Sequence, residues 1–521
     1  MKNRDSSHYQ RIWRWHFYAG LFVAPFLILL SLTGIVYLFK PQLDNLMYPE
    51  LMKVAPASQA LSADQLLAKA MMTMPDASLR KYLPPAAPDL SAQFIVNQGE
   101  RELTLFMDPA SGALLGTMDN KWNLQAVARS LHADLLLGTT GDRLIELAAG
   151  WGLVLLLSGL YLWWPRKGPG VGGILWPRVS QRGRLWWRDL HAVVGFWGAG
   201  FLLLLLLSGM TWTGFWGDQF AAVWNRFPAA MWNEVPKSAP LARSLNQAHE
   251  QTVPWAVENT PMPSSQPVDE GHDHGAMNHG EHEGVVMASQ RIALQQVVKI
   301  AHERGVQPGY SITPPVGATG VYTIALFADD PRNDATLHID QYSGKVLADV
   351  RWQDYGPVAK TVESGVMLHM GKLYGWPHQL AMLLICLMVL ASAVSGLWIW
   401  WYRRQQGRLA APPLPAKLPP MRGAIALLIL LGIAFPLVGA SMIAIWLLDT
   451  LIFSRRPLRV RAPAKPAITK KGSHLGSPFH CSPWRAATSG QESANPMESS
   501  RLNRNALMAV FLREPVSTSP S

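Results

Sequence analysis

The chain has 521 residues, a net charge of +11, 16% charged residues and 22 tryptophans. Several apolar runs exceed about 18 residues, which a water-soluble fold does not carry, so the chain is a polytopic membrane protein. Its two cysteines, Cys386 and Cys481, exclude a disulfide framework, a cysteine zinc site and an iron–sulfur cluster, and no C-x-x-C-H motif is present for covalent haem attachment.

The first apolar segment, 17–39, opens with His16-x3-Gly20 and runs to Gly34. It is too long for a signal-peptide core and lacks a small-x-small cleavage site before Lys40-Pro41-Gln42, so it is expected to be retained. Residues 61–118 read as a helix from Ser62 to Met74 and alternating strands at 92–96 and 102–107. The turn Asp108-Pro109-Ala110-Ser111-Gly112 and the stretch 113–116 follow. Leu131-His132 opens the second segment (143–164), with Gly138 six residues after the histidine and Ser158-Gly159-Leu160 near the end. A short basic loop carries Arg166, Lys167, Arg178, Arg182, Arg184 and Arg188. Its glycines, 168–173, do not match a dinucleotide-binding register and follow no strand.

The third segment (192–214) opens His191-x3-Gly195 and reaches Gly209. A Pro/Ser/His-rich insert at about 233–288 has no apolar period and is expected to be disordered. Residues 291–350 then repeat the earlier plan: a helix from Leu294 to Arg304, strands at 320–327 and 336–340, the turn Asp340-Gln341-Tyr342-Ser343-Gly344, and 345–348. Leu368-His369, Gly375 and His378 lead into the fourth segment (379–401), which ends Ser395-Gly396-Leu397-Trp398-Ile399-Trp400-Trp401. The fifth (423–448) contains Pro436 and is either one crossing or two re-entrant halves broken at that proline. Beyond about 457 the tail is aperiodic and expected to be disordered.

Spacing ties these parts together. His16 to Gly34 and His191 to Gly209 are both 18 residues, and His132 to Gly159 and His369 to Gly396 are both 27. Such agreement marks an internal duplication. The expected fold is an α-helical polytopic membrane protein with two small α+β modules inserted between membrane helices. Basic residues flank the short loops, which places those loops in the cytoplasm and the longer connections outside. The expected divisions are 1–40 with the first membrane helix, 41–130 the first outer module, 131–165 the second helix, and 166–190 a basic cytoplasmic loop. The third helix is 191–215, and the second outer region is 216–367 with its insert. The fourth helix spans 368–402, a basic cytoplasmic loop 403–422, the fifth helix or re-entrant pair 423–453, and the disordered tail 457–521.

Neutral imidazoles at equivalent places in two repeats can ligate one b-type haem from both faces. His16 and His191 form the inner pair, His132 and His369 the outer pair, and His378 is an alternative ligand to His369, a substrate contact or an interfacial residue, the last two together being the expected role. Gly20 and Gly195, one turn beyond His16 and His191, would let a flat macrocycle approach the helix backbone. Two haems near opposite faces would carry electrons across the membrane. His272, His274, His279 and His282 in the insert are candidates for loose binding of a soft or borderline metal ion. No flavin or nicotinamide domain is visible, so the electron donor is expected to be a quinol or a separate reductase. Charge placement speaks for lipid contact and against nucleic acid; oligomeric state is not legible.

Arg188-x-x-His191-x3-Gly195, its variant from Arg11 to Gly20, the Leu-His pairs, the two S-G-L-x-x-W-W ends and the two D-x-x-S-G turns occur in order. With them, residues 8–450 resemble the PepSY-associated transmembrane family, specifically its inner-membrane siderophore-iron reductases of Gram-negative bacteria. That resemblance implies a protein with two haem b groups and bis-histidine ligation, reducing Fe(III)-siderophore in the periplasm to release Fe(II) for iron uptake. Three other readings stand beside it: a haem-free regulatory or partner-binding membrane protein, a metal transporter capturing ions on its His-rich loop, and a haem protein serving a copper or quinone oxidant.

Overall fold

The computed structural model describes residues 2–56, 59–165, 172–224, 240–246, 252–266, 291–404, 411–412 and 421–453. Among the described residues, four helices are long and apolar enough to span a membrane: Ser7–Leu38 within α1 (Lys2–Leu38), α6 (Thr139–Trp163), α7 (Arg184–Met210) and α11 (Trp376–Arg403). They form a ring in which α1 packs on α6 and α11, and α7 packs on the same two helices. α1 and α7 therefore face each other across the centre. Short helices α2 (Lys40–Met47) and α3 (Pro49–Met52) carry the chain from α1 towards a β-sheet.

That sheet holds eight antiparallel strands in the order β4-β3-β2-β1-β5-β6-β7-β8. β1 (Ser78–Leu83), β2 (Ala92–Gln98), β3 (Arg101–Met107) and β4 (Leu114–Asp119) come from the first outer region. β5 (Ser311–Thr313), β6 (Val321–Leu326), β7 (Ala335–Asp340) and β8 (Val346–Arg351) come from the second. The two modules expected from sequence are thus halves of one sheet, joined where Tyr82 on β1 pairs with Ile312 on β5. Each half has one helix on the same face, α4 (Ala63–Thr73) and α9 (Leu294–Glu303). The two helices cap each other: Asp64 accepts from the Leu294 and Gln295 amides at 2.8 and 3.0 Å, and Gln295 accepts from the Ala63 amide at 2.7 Å. These bonds satisfy helix-terminal donors that otherwise lack partners. Leu66, Phe94, Leu105, Ile312, Ile324, Leu337 and Ile339 fill the core between sheet and helices. In both D-x-x-S-G turns the aspartate accepts from the serine hydroxyl and a backbone amide, and the glycine has φ near +70°, which a side chain would strain.

The opposite face of the sheet corrects one expectation. Residues 240–246 and 252–266, inside the stretch expected to be disordered, are ordered and lie across the sheet as a strap. Val253, Trp255 and Val257 are buried there against Ala348, Val350, Tyr355 and Val362. One tryptophan and two valines at alternate positions supply enough apolar surface to fix a segment that is otherwise Pro- and Ser-rich. The tail beyond 457 lies outside the described residues.

Two helices link the sheet back to the bundle: α5 (Leu124–Asp134) ahead of α6, and α10 (Pro357–His369) ahead of α11. Gly138 and Gly375 occupy the N-caps of α6 and α11 with φ of +56° and +64°, conformations that let the chain turn sharply. α8 (Trp216–Trp224) follows α7, and the buried Glu146 carboxylate accepts from the Phe215 and Trp216 amides at its start. The fifth apolar stretch is two helices, α12 (Arg422–Ala434) and α13 (Pro436–Phe453). Met421 packs with Ile12 and Trp15 at one end of the bundle, whereas the Ala434 carbonyl accepts from Trp216 at the other. Ser441 then accepts from the Trp151 indole, so α13 turns back along α6. Pro436 lacks the amide a continuous helix would need, which explains the break.

Candidate functional site

All four histidines singled out by spacing enter the bundle, and they do so as two pairs. His16 on α1 and His191 on α7 have ring centres 6.2 Å apart with planes at 69°. His132 at the end of α5 and His369 at the end of α10 have ring centres 6.3 Å apart with planes at 80°. The diagonal placement of α1 and α7 brings the first pair together. The second pair meets because α5 packs on α1 and α10 packs on α7. Seventeen residues of α1 separate His16 from Thr33, which holds His132, so the pairs lie about 25 Å apart along the helix axis.

The hydrogen bonds fix which nitrogen is available. His16 Nδ1 lies 3.1 Å from the Leu155 carbonyl, and His191 Nδ1 lies 2.9 Å from the Ser392 carbonyl. A carbonyl only accepts, so Nδ1 carries the proton in both. In the second pair, Thr33 Oγ1 donates to the Leu29 carbonyl and Ser208 Oγ to the Leu204 carbonyl. Each hydroxyl, having spent its proton, accepts from its histidine, His132 Nδ1 at 3.0 Å and His369 Nδ1 at 2.9 Å. All four imidazoles therefore present the Nε2 lone pair, the tautomer a metal requires. Burial also drives His132 and His369 to a pKa of about 4, so neither competes for a second proton.

Each ring rests against a glycine of a facing helix. A Cβ on Gly159 or Gly396 would lie 3.1 Å from Cε1 of His16 or His191, and one on Gly34 or Gly209 would lie 3.5 or 3.4 Å from His132 or His369. These four glycines are the ones at the 18- and 27-residue spacings that the two halves share. Gly20 and Gly195 lie instead at helix contacts, where a Cβ would meet Leu155 at 3.4 Å and Ser392 at 3.5 Å. The signal for the ring-facing set was present in the sequence as a spacing, although a glycine one turn from each histidine looked the more direct candidate.

The ring separations fit one metal ion that each pair would hold between its two Nε2 atoms. A metal–imidazole bond of about 2.0–2.1 Å, with roughly 1.1 Å from ring nitrogen to ring centre, sets two such centres about 6.3 Å apart. His378 is not in either pair; it lies at the start of α11 beside Tyr374, with ring centres 5.8 Å apart. His272, His274, His279 and His282 lie outside the described residues. Comparison with curated proteins gives no match. The model of the PepSY-associated TM region matches residues 13–403, three quarters of a chain already seen to be built of membrane-length helices and a separate sheet, and the protein belongs to that family.

Proposed function

We propose that this protein is an inner-membrane carrier of two b-type haems that reduces periplasmic Fe(III)-siderophore and so releases Fe(II) for uptake. The observation that carries this reading is the recurrence of one geometry: two imidazole pairs, both at the separation that trans ligation requires, each ring seated on a glycine and hydrogen-bonded through Nδ1. His16 with His191, and His132 with His369, would hold the two groups. Haem supplies reversible one-electron chemistry at a potential tuned by its axial ligands and surroundings. Levels about 25 Å apart along the bundle suit transfer from one face to the other, with a quinol or a separate reductase as donor. In this reading the repeated spacings descend from a duplication, and the sheet is periplasmic because the basic loops at the opposite end are cytoplasmic. The chemistry of the substrate agrees: siderophore oxygens bind Fe(III) far better than Fe(II), so one electron loosens the complex.

The test is an optical spectrum of the detergent-purified chain, oxidised and dithionite-reduced, with a pyridine haemochrome count. A sharp reduced α-band of b type and two haems per chain is the expected result. Colourless protein that takes up no added haem overturns the reading in favour of a haem-free partner-binding role. If haem is present, electron delivery to an Fe(III)-siderophore is then read as re-oxidation of the reduced protein.

The hydroxyls that orient the outer pair give a finer result. Thr33→Ala and Ser208→Ala each remove an Nδ1 acceptor without touching Nε2. Each is expected to weaken retention of the outer haem by about 10–100-fold, the usual cost of losing a residue that orients a metal ligand. Competition with an apo-globin measures it, and unchanged haem loss would refute that role for the hydroxyl.

A further inference from the structure

A second cluster of buried groups includes Glu363, six residues ahead of His369 on α10, and the reading above makes no use of it. Asp334, before β7, Tyr355, before α10, and Glu363, within α10, meet beneath the strap, and each is at least nine-tenths buried (1%, 5% and 0% exposed). One oxygen of each carboxyl is used: Asp334 accepts from the Ala328 amide and Glu363 from the Ala256 amide, both at 2.9 Å. Among the described residues, Asp334 Oδ2, Glu363 Oε2 and the Tyr355 hydroxyl have no hydrogen-bond partner, although the Trp255 amide also faces the Glu363 carboxyl. The three groups lie within one another's electrostatic reach, and the charges facing them are negative: Glu258 from the strap, Asp330 ahead of β7 and Asp354 ahead of α10.

Among the described residues, the cations on these segments pair with other groups, and Arg332 does so with Asp330 itself. Arg351 binds Asp349, Lys372 binds Asp329, and Lys360 lies over the Trp352 ring. Two unpaired carboxylates at this depth cannot both stay ionised. Burial, together with the like charge of the neighbouring acids, pushes Glu363 up to about 8 and Asp334 up to about 9. Glu363 precedes His369 by six residues on α10, about 9 Å of helix rise.

We propose that Asp334, Tyr355 and Glu363 form a proton-holding site that balances charge gained or lost at the His132–His369 pair. The inference rests on the haem reading. One electron, from the quinol or protein donor, removes one positive charge at the His369 end of α10. One proton from the adjoining aqueous phase then binds a carboxylate of the cluster, and the net charge of this region is unchanged. Loss of the electron reverses both. Three side-chain oxygens fall short of the roughly six to eight that calcium needs, so a proton is the occupant that fits.

The test uses the full haem-loaded chain and the variants Glu363→Gln, Asp334→Asn and Tyr355→Phe. The infrared spectrum of the protein at neutral pH is expected to contain a protonated-carboxyl band that weakens in the first two variants and shifts in the third. At pH 8 to 9 that band should change between the oxidised and reduced states, whereas at neutral pH it should be the same in both. The midpoint potential of one haem should fall with rising pH, by up to about 59 mV per tenfold drop in proton concentration, and the slope should flatten in Glu363→Gln. The dependence belongs to the window around 8 to 9, because below it the site is protonated in both redox states and above it ionised in both. A band unaffected by the variants overturns proton holding. A band that responds to the variants but is identical in both redox states at pH 8 to 9, with flat midpoints, overturns charge balancing and leaves the haem reading intact. Loss of the band on adding Ca²⁺, with Ca²⁺ bound, makes this a cation site instead. Protein that binds no haem removes the basis for charge balancing, while the band in that same protein still reports whether the cluster holds a proton.

Discussion

Replacing His16 or His191 by alanine is expected to remove half of the bound haem, and replacing His132 or His369 to remove the other half. The double change His16→Ala/His191→Ala should lose no more than either single one, because each pair would hold one metal between its two rings. The geometry makes this a strong expectation. Within each pair the rings are 6.2 or 6.3 Å apart, both Nε2 lone pairs are freed by hydrogen bonds at Nδ1, and the pairs lie at opposite ends of the bundle. His378 is the informative control: its ring lies beside Tyr374, and His378→Ala should keep both haems. Haem-to-protein ratios and the split of the two midpoint potentials measure all of this. Haem loss in His378→Ala with full retention in His369→Ala would reassign the outer ligand and refute the pairing described above.

The sequence carried much of this arrangement because a membrane helix is a ruler. A fixed rise per residue turns an 18-residue spacing within α1 or α7 into a position along the bundle, and the 27-residue spacing recurs because the same turn joins α5 to α6 and α10 to α11. The helices α4 and α9 were legible from their residue pattern, and β2, β3, β6 and β7 from alternation. β1 and β5 were not. β1 reads Ser-Leu-Arg-Lys-Tyr-Leu, with two cations in its middle, and β5 is three residues long, so neither offers a period to detect. Yet these two strands join the halves into one sheet. The partner that buries Lys81 is Thr252 of the strap, a contact between residues 171 apart that no local pattern announces. The same holds for the acid cluster: Asp334, Tyr355 and Glu363 look like ordinary polar residues until the strap and α10 close over them. The break at Pro436 was visible as an alternative, but the direction of α13 depends on contacts with α6 and α8 that spacing does not encode.

Glycines test the bundle more severely than the histidines do, since they change no ligand. Leucine at Gly159 or Gly396 should abolish binding of the inner haem while leaving the outer one in place. Even a bare Cβ there would sit 3.1 Å from Cε1 of His16 or His191, closer than an unstrained contact allows. The ring cannot step aside cheaply, because the Leu155 or Ser392 carbonyl holds it through Nδ1. Overpacking of this kind costs about 1–3 kcal/mol, which converts to roughly ten- to hundredfold in haem retention for alanine and more for leucine. The outer glycines differ in degree. A Cβ on Gly34 or Gly209 meets its histidine at 3.5 or 3.4 Å, an ordinary contact, so alanine should be tolerated there and leucine should not. Gly20→Ala and Gly195→Ala should also be tolerated, their nearest neighbours being Leu155 at 3.4 Å and Ser392 at 3.5 Å. Gly200→Ala, with nothing within 4 Å of the added carbon, is the control for helix composition alone. A graded outcome, inner glycines intolerant of alanine and outer ones intolerant only of leucine, would tie haem binding to the seats beneath the rings. Equal tolerance at Gly159, Gly34 and Gly200 would mean that the rings are free to move, and the tautomer argument for their role as ligands would fall with it.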